Sequence, residues 1–174
     1  MQNNSYIKSI LATIFDVKNN NKSSYNEKYI YFSSICDFEG GEAIGELKLI
    51  RKIANIVGKD NLLIKIHPRD VRDVYKKEGL KIDKSSSVPW EVIQLLYDFK
   101  DKVFLTATSS SVLMSNAITG KHIKSFYLYP ACSIKNNYIA TKVVNALEVY
   151  FNQFANKEIF ENITVTDNLN DILN

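Results

Sequence analysis

The chain alternates between short apolar runs and longer stretches in which apolar residues recur every three or four positions, the two periods that separate strands from helices. Residues 29–32, Tyr-Ile-Tyr-Phe, read as a strand of β-branched and aromatic residues. Behind it, Ile44, Leu47, Ile50, Ile53, Ala54 and Val57 share one face of a helix predicted over 42–57. A strand at 62–66 follows, then a charged helix over 69–78 that Gly79 ends as a left-handed cap. Residues 80–82 read as a third strand, and Pro89 opens a helix through Val92, Ile93, Leu95 and Leu96. Further on, strands at 102–106 and 122–129 alternate with helices at 110–118 and 139–154, before a weaker strand at 162–166 and a terminal turn. Strands and helices in succession, joined by short connections, predict an α/β domain with a mostly parallel sheet covered by helices on both faces. In such a sheet ligands bind beyond the carboxyl ends of the strands.

Ahead of this pattern, residues 5–15 read as a short helix, and the Asn- and Ser-rich stretch over 19–24 has the composition of a linker. The chain therefore divides into an N-terminal helix and linker, 1–27, and one domain, 28–174. With 174 residues and 45% hydrophobic content, one compact core is the expected outcome. The formal charge is only +3, too small to predict an extended nucleic-acid face. Cys36 and Cys132 have neither metal-ligand spacing nor a disulfide framework and read as reduced structural thiols. No apolar run reaches the ~18 residues of a membrane span, and the polar opening has no signal-peptide pattern, so the expectation is a soluble cytoplasmic protein.

Three segments at predicted strand ends carry candidate chemistry. In Lys65-Ile66-His67-Pro68-Arg69-Asp70 an imidazole and cationic side chains stand where a strand gives way to a helix. Free N–H groups there favour an anion, and His67 can donate to a phosphoryl oxygen; the plainer reading is a histidine that satisfies a backbone group. In Ser87-Val88-Pro89-Trp90-Glu91, Glu91 falls in the first turn of a helix. The macrodipole alone favours a carboxylate there, and a ribose whose hydroxyls it accepts is the functional alternative. Trp90, the sole tryptophan, reads as a packing residue. In Thr106-Ala107-Thr108-Ser109-Ser110-Ser111-Val112 a helix cap explains one serine. Three adjacent serines suggest a phosphate cradle formed by Ser110 and Ser111, with Ser109 also counted among the donor-binding residues. A Walker lysine and a GxGxxG are both missing, which argues against a nucleoside triphosphatase or a dehydrogenase. His122 opens a strand and reads as structural.

Taken in order, Lys-x-His-Pro, Pro-Trp-Glu and Ser-Ser before an apolar helix resemble the donor-site signature of bacterial GT-B sialyltransferases, most of all the lipooligosaccharide sialyltransferases of glycosyltransferase family 52. The resemblance covers roughly residues 29–120. It implies a Rossmann-like three-layer domain, the C-terminal, donor-binding half of such an enzyme, with CMP-sialic acid as donor and no metal requirement. His67 would stabilise or protonate the departing CMP phosphate, with Pro68 shaping its turn and Lys65 facing the cytidine. Glu91 would hold the ribose and the paired hydroxyls of Ser110 and Ser111 the phosphate, with Pro89 and Ser109 as further donor-binding residues. A cell-surface glycan, lipooligosaccharide or capsule, would be the acceptor, at the inner face of the membrane.

The family's N-terminal half, with its acceptor contacts and acidic general base, is not evident. Asp37-Phe38-Glu39-Gly40 only superficially resembles that motif, because turn chemistry after a strand accounts for it. A separate acceptor domain or a homodimer would have to complete the enzyme. Two alternatives stand beside this reading. One is another GT-B nucleotide-sugar enzyme, such as a capsule or teichoic-acid transferase or a UDP-sugar epimerase. The other is a non-catalytic nucleotide-binding module.

Overall fold

A computed structural model describes residues 5–21, 23–85, 88–120, 122–154 and 161–174, apart from the side chains of residues 115, 116, 118 and 119. Ser86 and Ser87, which lead into the Pro89 segment, lie outside the described residues. Strands β1 (Tyr29–Phe32), β2 (Leu62–Lys65), β3 (Lys81–Ile82), β4 (Val103–Thr106), β5 (Lys124–Tyr127) and β6 (Ile163–Val165) form one sheet in the order β3-β2-β1-β4-β5-β6. Every pairing is parallel, with Tyr31 of β1 in register with Ile64 on one side and Leu105 on the other. The chain is thus an α/β, Rossmann-like three-layer domain, as the alternation of elements predicts.

The two-residue period of each strand feeds two cores. Tyr31, Ile64, Leu105 and Phe126 point to one face, where α3 (Glu46–Val57) contributes Leu49, Ile50, Ile53 and Ala54. Ile30, Phe32, Leu63, Phe104 and Tyr127 point to the other. There they meet α5 (Trp90–Leu96), α6 (Ser111–Thr119) and Val144 and Leu147 of α7 (Tyr138–Phe154). Burial on both faces explains why the central strands carry unbroken apolar runs.

Several boundaries differ from the sequence expectation, each for a local reason. Helix α3 begins at Glu46 rather than 42, because Gly45 is left-handed (φ 83°) and the Asp37 carboxylate caps the helix, accepting from the Gly45 and Glu46 amides at 3.1 and 2.9 Å. Residues 69–78 supply only α4 (Val74–Lys77). The Asp70 carboxylate accepts the Arg72 amide at 3.0 Å and its guanidinium at 2.8 Å, a side-chain turn that competes with helix. Helix α1 (Ser5–Ile14) matches its expectation and is followed by α2 (Val17–Asn20). The stretch of linker composition after them is tied down: Val17 and Tyr25 are buried in the second core, and the Ser23 hydroxyl donates to Asp83.

Candidate functional site

Crossovers from β1 and β4 leave the sheet toward opposite faces, β1 to α3 and β4 to α6. Their loops diverge, and a crevice opens at this switch in strand order. A cleft of about 350 Å³ lies there, within the usual range for small-ligand sites. It is built from four places: Phe32 and Ser33 at the end of β1, residues 65–68 at the end of β2, residues 88–91 at the start of α5, and Ser109 and Ser111 after β4. All three segments singled out in the sequence converge on it.

Lys65, His67, Pro68, Pro89, Glu91, Ser109 and Ser111 line the cleft. Ser110 does not. It is exposed, and its carbonyl accepts from the Met114 amide at 2.9 Å as α6 starts, so the serines at the cleft are Ser109 and Ser111 rather than the adjacent pair Ser110 and Ser111.

His67 is held through both its backbone and its ring. The Ser33 hydroxyl oxygen accepts the His67 amide at 2.9 Å, and His67 Nδ1 accepts the Arg69 amide at 3.2 Å. Burial, together with Arg69, lowers the His67 pKa against the opposing pull of Glu39 and Asp70. A neutral ring whose Nδ1 accepts carries its proton on Nε2, as a hydrogen-bond donor. Arg69 pairs with Glu39 at 3.3 Å, and Arg72 stacks over Phe38 and donates to the Asp37 carbonyl, so the loops after β1 and β2 brace each other.

Lys65 reaches the cleft with its charge already matched. Its ammonium lies 2.8 Å from the buried Asp83 carboxylate and donates to the Ser85 hydroxyl at 3.1 Å. Burial works against the ionised form of Asp83, but Lys65 and the Ser23 and Ser85 hydroxyls outweigh it and hold that carboxyl below its ordinary range. Glu91 is the contrasting acid: half-buried at the cleft, it is engaged by no hydrogen bond or ion pair among the described residues. An unengaged carboxylate is suited to accept from ligand hydroxyls.

On the β4 side the turn is stitched to the sheet. Thr106 donates to the Phe32 carbonyl at 2.9 Å and accepts the Ser109 amide at 2.8 Å, while the Tyr127 hydroxyl donates to the Ser109 carbonyl at 3.0 Å. The Ser111 amide lies 3.4 Å from the Ser109 hydroxyl, which places both at the N-terminal end of α6. Trp90 forms the cleft's apolar wall and is buried against Phe32, Phe99 and Phe104.

Sequence reading missed Ser33, Asp83 and Asn137. Ser33 directly follows β1, and the strand-end rule that selected His67 selects it equally well. The buried Asn137 side chain donates to the carbonyls of Cys36, Glu39 and Glu42 and accepts the Ala140 amide, pinning the loop after β1 to the start of α7. Asparagine just ahead of a helical period is the cap signal that could have found it. A Cβ on Gly40 would stand 2.5 Å from the Asn137 side-chain oxygen, so that contact requires glycine. Among the described residues, no three His, Cys, Asp or Glu side chains gather as a metal-binding group, and no helix is long and apolar enough to cross a membrane. Comparison with protein-family models, with curated proteins and with solved structures returned no match.

Proposed function

We propose that the cleft binds the nucleotide of an activated sugar and that the chain is the donor half of a glycosyltransferase, most like a sialyltransferase using CMP-sialic acid. One observation carries this reading: an imidazole, an unengaged carboxylate and two hydroxyls at a helix start, far apart in sequence, share one cleft at the switch in strand order. In this reading Glu91 accepts from the ribose, Ser109 and Ser111 donate to the phosphate at the positive end of α6, and Lys65, held from behind by Asp83, lies beside the base. As the bond from sugar to phosphate breaks, its electron pair stays on the phosphate oxygen. A neutral His67 with its proton on Nε2 meets that charge as a donor rather than as a proton source. The acceptor hydroxyl adds to the sugar and gives its proton to a base outside this cleft. A separate acceptor domain, or a second copy of the chain, supplies that base and the glycan site. The setting is the cytoplasm, at the inner face of the membrane, with a cell-surface glycan as acceptor.

A second reading, a nucleotide-binding module without transfer chemistry, is favoured by the state of the two acids nearest the cleft in the loop after β1. Asp37 is committed to capping α3, and Glu39 is paired with Arg69.

Calorimetric titration with CMP and with UDP tests the proposal. CMP is expected to bind in preference, and the Ser109→Ala/Ser111→Ala variant to lose about 1.5–3 kcal/mol for each charged hydrogen bond removed while remaining folded. Selective binding of UDP would remove the sialyltransferase assignment, and equal affinity in the double variant would remove the serines from the site. Transfer or donor hydrolysis that is lost in His67→Ala would rule out the module.

A further inference from the structure

Glu46, the first residue of α3, is fully buried, an unusual place for a carboxylate. Its own helix does not need it as a cap, since Asp37 already takes the Gly45 and Glu46 amides. Instead it turns toward the end of β1. The Tyr31 hydroxyl donates to Oε1 at 3.0 Å, the Ser34 amide lies 3.1 Å from both oxygens, and the Ser34 hydroxyl donates to Oε2 at 3.2 Å. One residue away, Ser33 accepts the His67 amide and donates its own amide to the Lys65 carbonyl at 3.0 Å. Ser33 and His67 both line the cleft.

We infer that Glu46 is a positioning residue for the cleft: by holding Ser34 it sets Ser33, and through Ser33 the His67 loop. The inference rests on the cleft being the ligand site. Ionised, the carboxylate accepts all its donors; protonated, it must give a proton to one of them, and that hydroxyl turns from donor to acceptor. The groups around it give little help to the charge. They are Tyr31 on β1, Cys36 and Asp37 in the following loop, Tyr75 on α4 and Cys132 after the turn at Tyr129–Ala131. Arg72, which acts on Tyr75, is itself paired with Asp70. Burial, seconded by Asp37, pushes the carboxyl up to about 8 despite the bonds from Ser34 and Tyr31. The arrangement at His67 therefore changes as this group titrates.

The test follows the amide signals of Ser34 and His67 by NMR from about pH 6 to 9.5, with CMP affinity measured over the same range. Wild type is expected to show an inflection near pH 8 at both amides, and a CMP affinity that changes about threefold across it. Glu46→Gln, which cannot ionise, is expected to lose both. Tyr31→Phe, which removes one donor to the carboxylate, is expected to move the inflection to higher pH, and it decides the matter should Glu46→Gln fail to fold. No inflection at the His67 amide in wild type, the same inflection in Glu46→Gln, or an unmoved one in Tyr31→Phe overturns the inference. The amide titration needs no ligand, so failure of CMP to bind would end the nucleotide reading and leave Glu46 to be judged separately.

Discussion

Asp83→Ala is expected to lose about 3–5 kcal/mol of stability, the consequence of stranding one partner of a buried ion pair. The Asp83 side chain is completely buried and that of Lys65 is 11% exposed, so the lysine left behind has little water to turn to. The loss extends further. Asp83 also accepts from the hydroxyls of Ser23, Tyr25 and Ser85, and these bonds tie residues 23–25 to the end of β3. Urea denaturation at neutral pH measures the cost, and a loss below about 1 kcal/mol would mean that Lys65 finds another partner or reaches solvent.

The sign of the pH effect follows from the depressed Asp83 carboxyl. Its contribution is present above the unfolded-state value, about 3.9, and is lost as the pH falls through the lower folded-state value. Wild type is therefore expected to lose stability on acidification below about pH 4 more steeply than Asp83→Ala, whose missing carboxylate has nothing left to lose. Lys65→Met combined with Asp83→Leu, which removes both charges, is expected to recover much of the deficit.

Trp90→Ala is expected to cost about 3–5 kcal/mol and, with it, most of the affinity for nucleotide. The indole sits 4.8 Å from Phe32, 5.0 Å from Phe99, 5.6 Å from Phe104 and 5.9 Å from Tyr25, centroid to centroid, mostly edge to face. This cluster joins β1, β4 and α5 to the N-terminal segment, so a cavity there loosens the start of α5 that carries Pro89 and Glu91. Trp90→Phe keeps much of the packing and is expected to lose less than half as much, roughly 1–2 kcal/mol. Equilibrium unfolding followed by circular dichroism checks both. An alanine variant within about 1 kcal/mol of wild type would show that the cluster relaxes around the gap.

The fold was legible because its signal is local. Residues 29–32, 62–64 and 103–105 are continuous apolar runs, and the stripe from Leu47 to Val57 has a clear helical period. The N-terminal stretch misled by composition: Asn19, Asn20, Ser23 and Ser24 look like a linker, yet a single serine and Tyr25 fasten it to Asp83. Helix starts were displaced where a side chain from elsewhere reshaped the turn, as Asp37 and Gly45 do for α3 and Asp70 does ahead of α4.

The cleft was legible in part, by one rule, that chemistry gathers at the carboxyl ends of strands. That rule places His67, Glu91, Ser109 and Ser111 together. It could not tell which of three adjacent serines faces the cleft, since orientation depends on where α6 begins. Nor could it foresee that Lys65 arrives neutralised, because Asp83 follows a different strand. Asn137 and Glu46 act across 95 or more and 12 or more residues of chain, respectively, and only the assembled sheet brings such partners together.

The central claim is that one nucleotide occupies the cleft between the ends of β1, β2 and β4. Titrating isotopically labelled protein with CMP and following its backbone amides by NMR tests this most directly. Saturable shifts are expected at Ser33, His67, Glu91, Ser109 and Ser111, with β6 unaffected. Shifts centred away from these residues would contradict the account. So would none at about 1 mM CMP, where a site worth only −4 kcal/mol would be half filled.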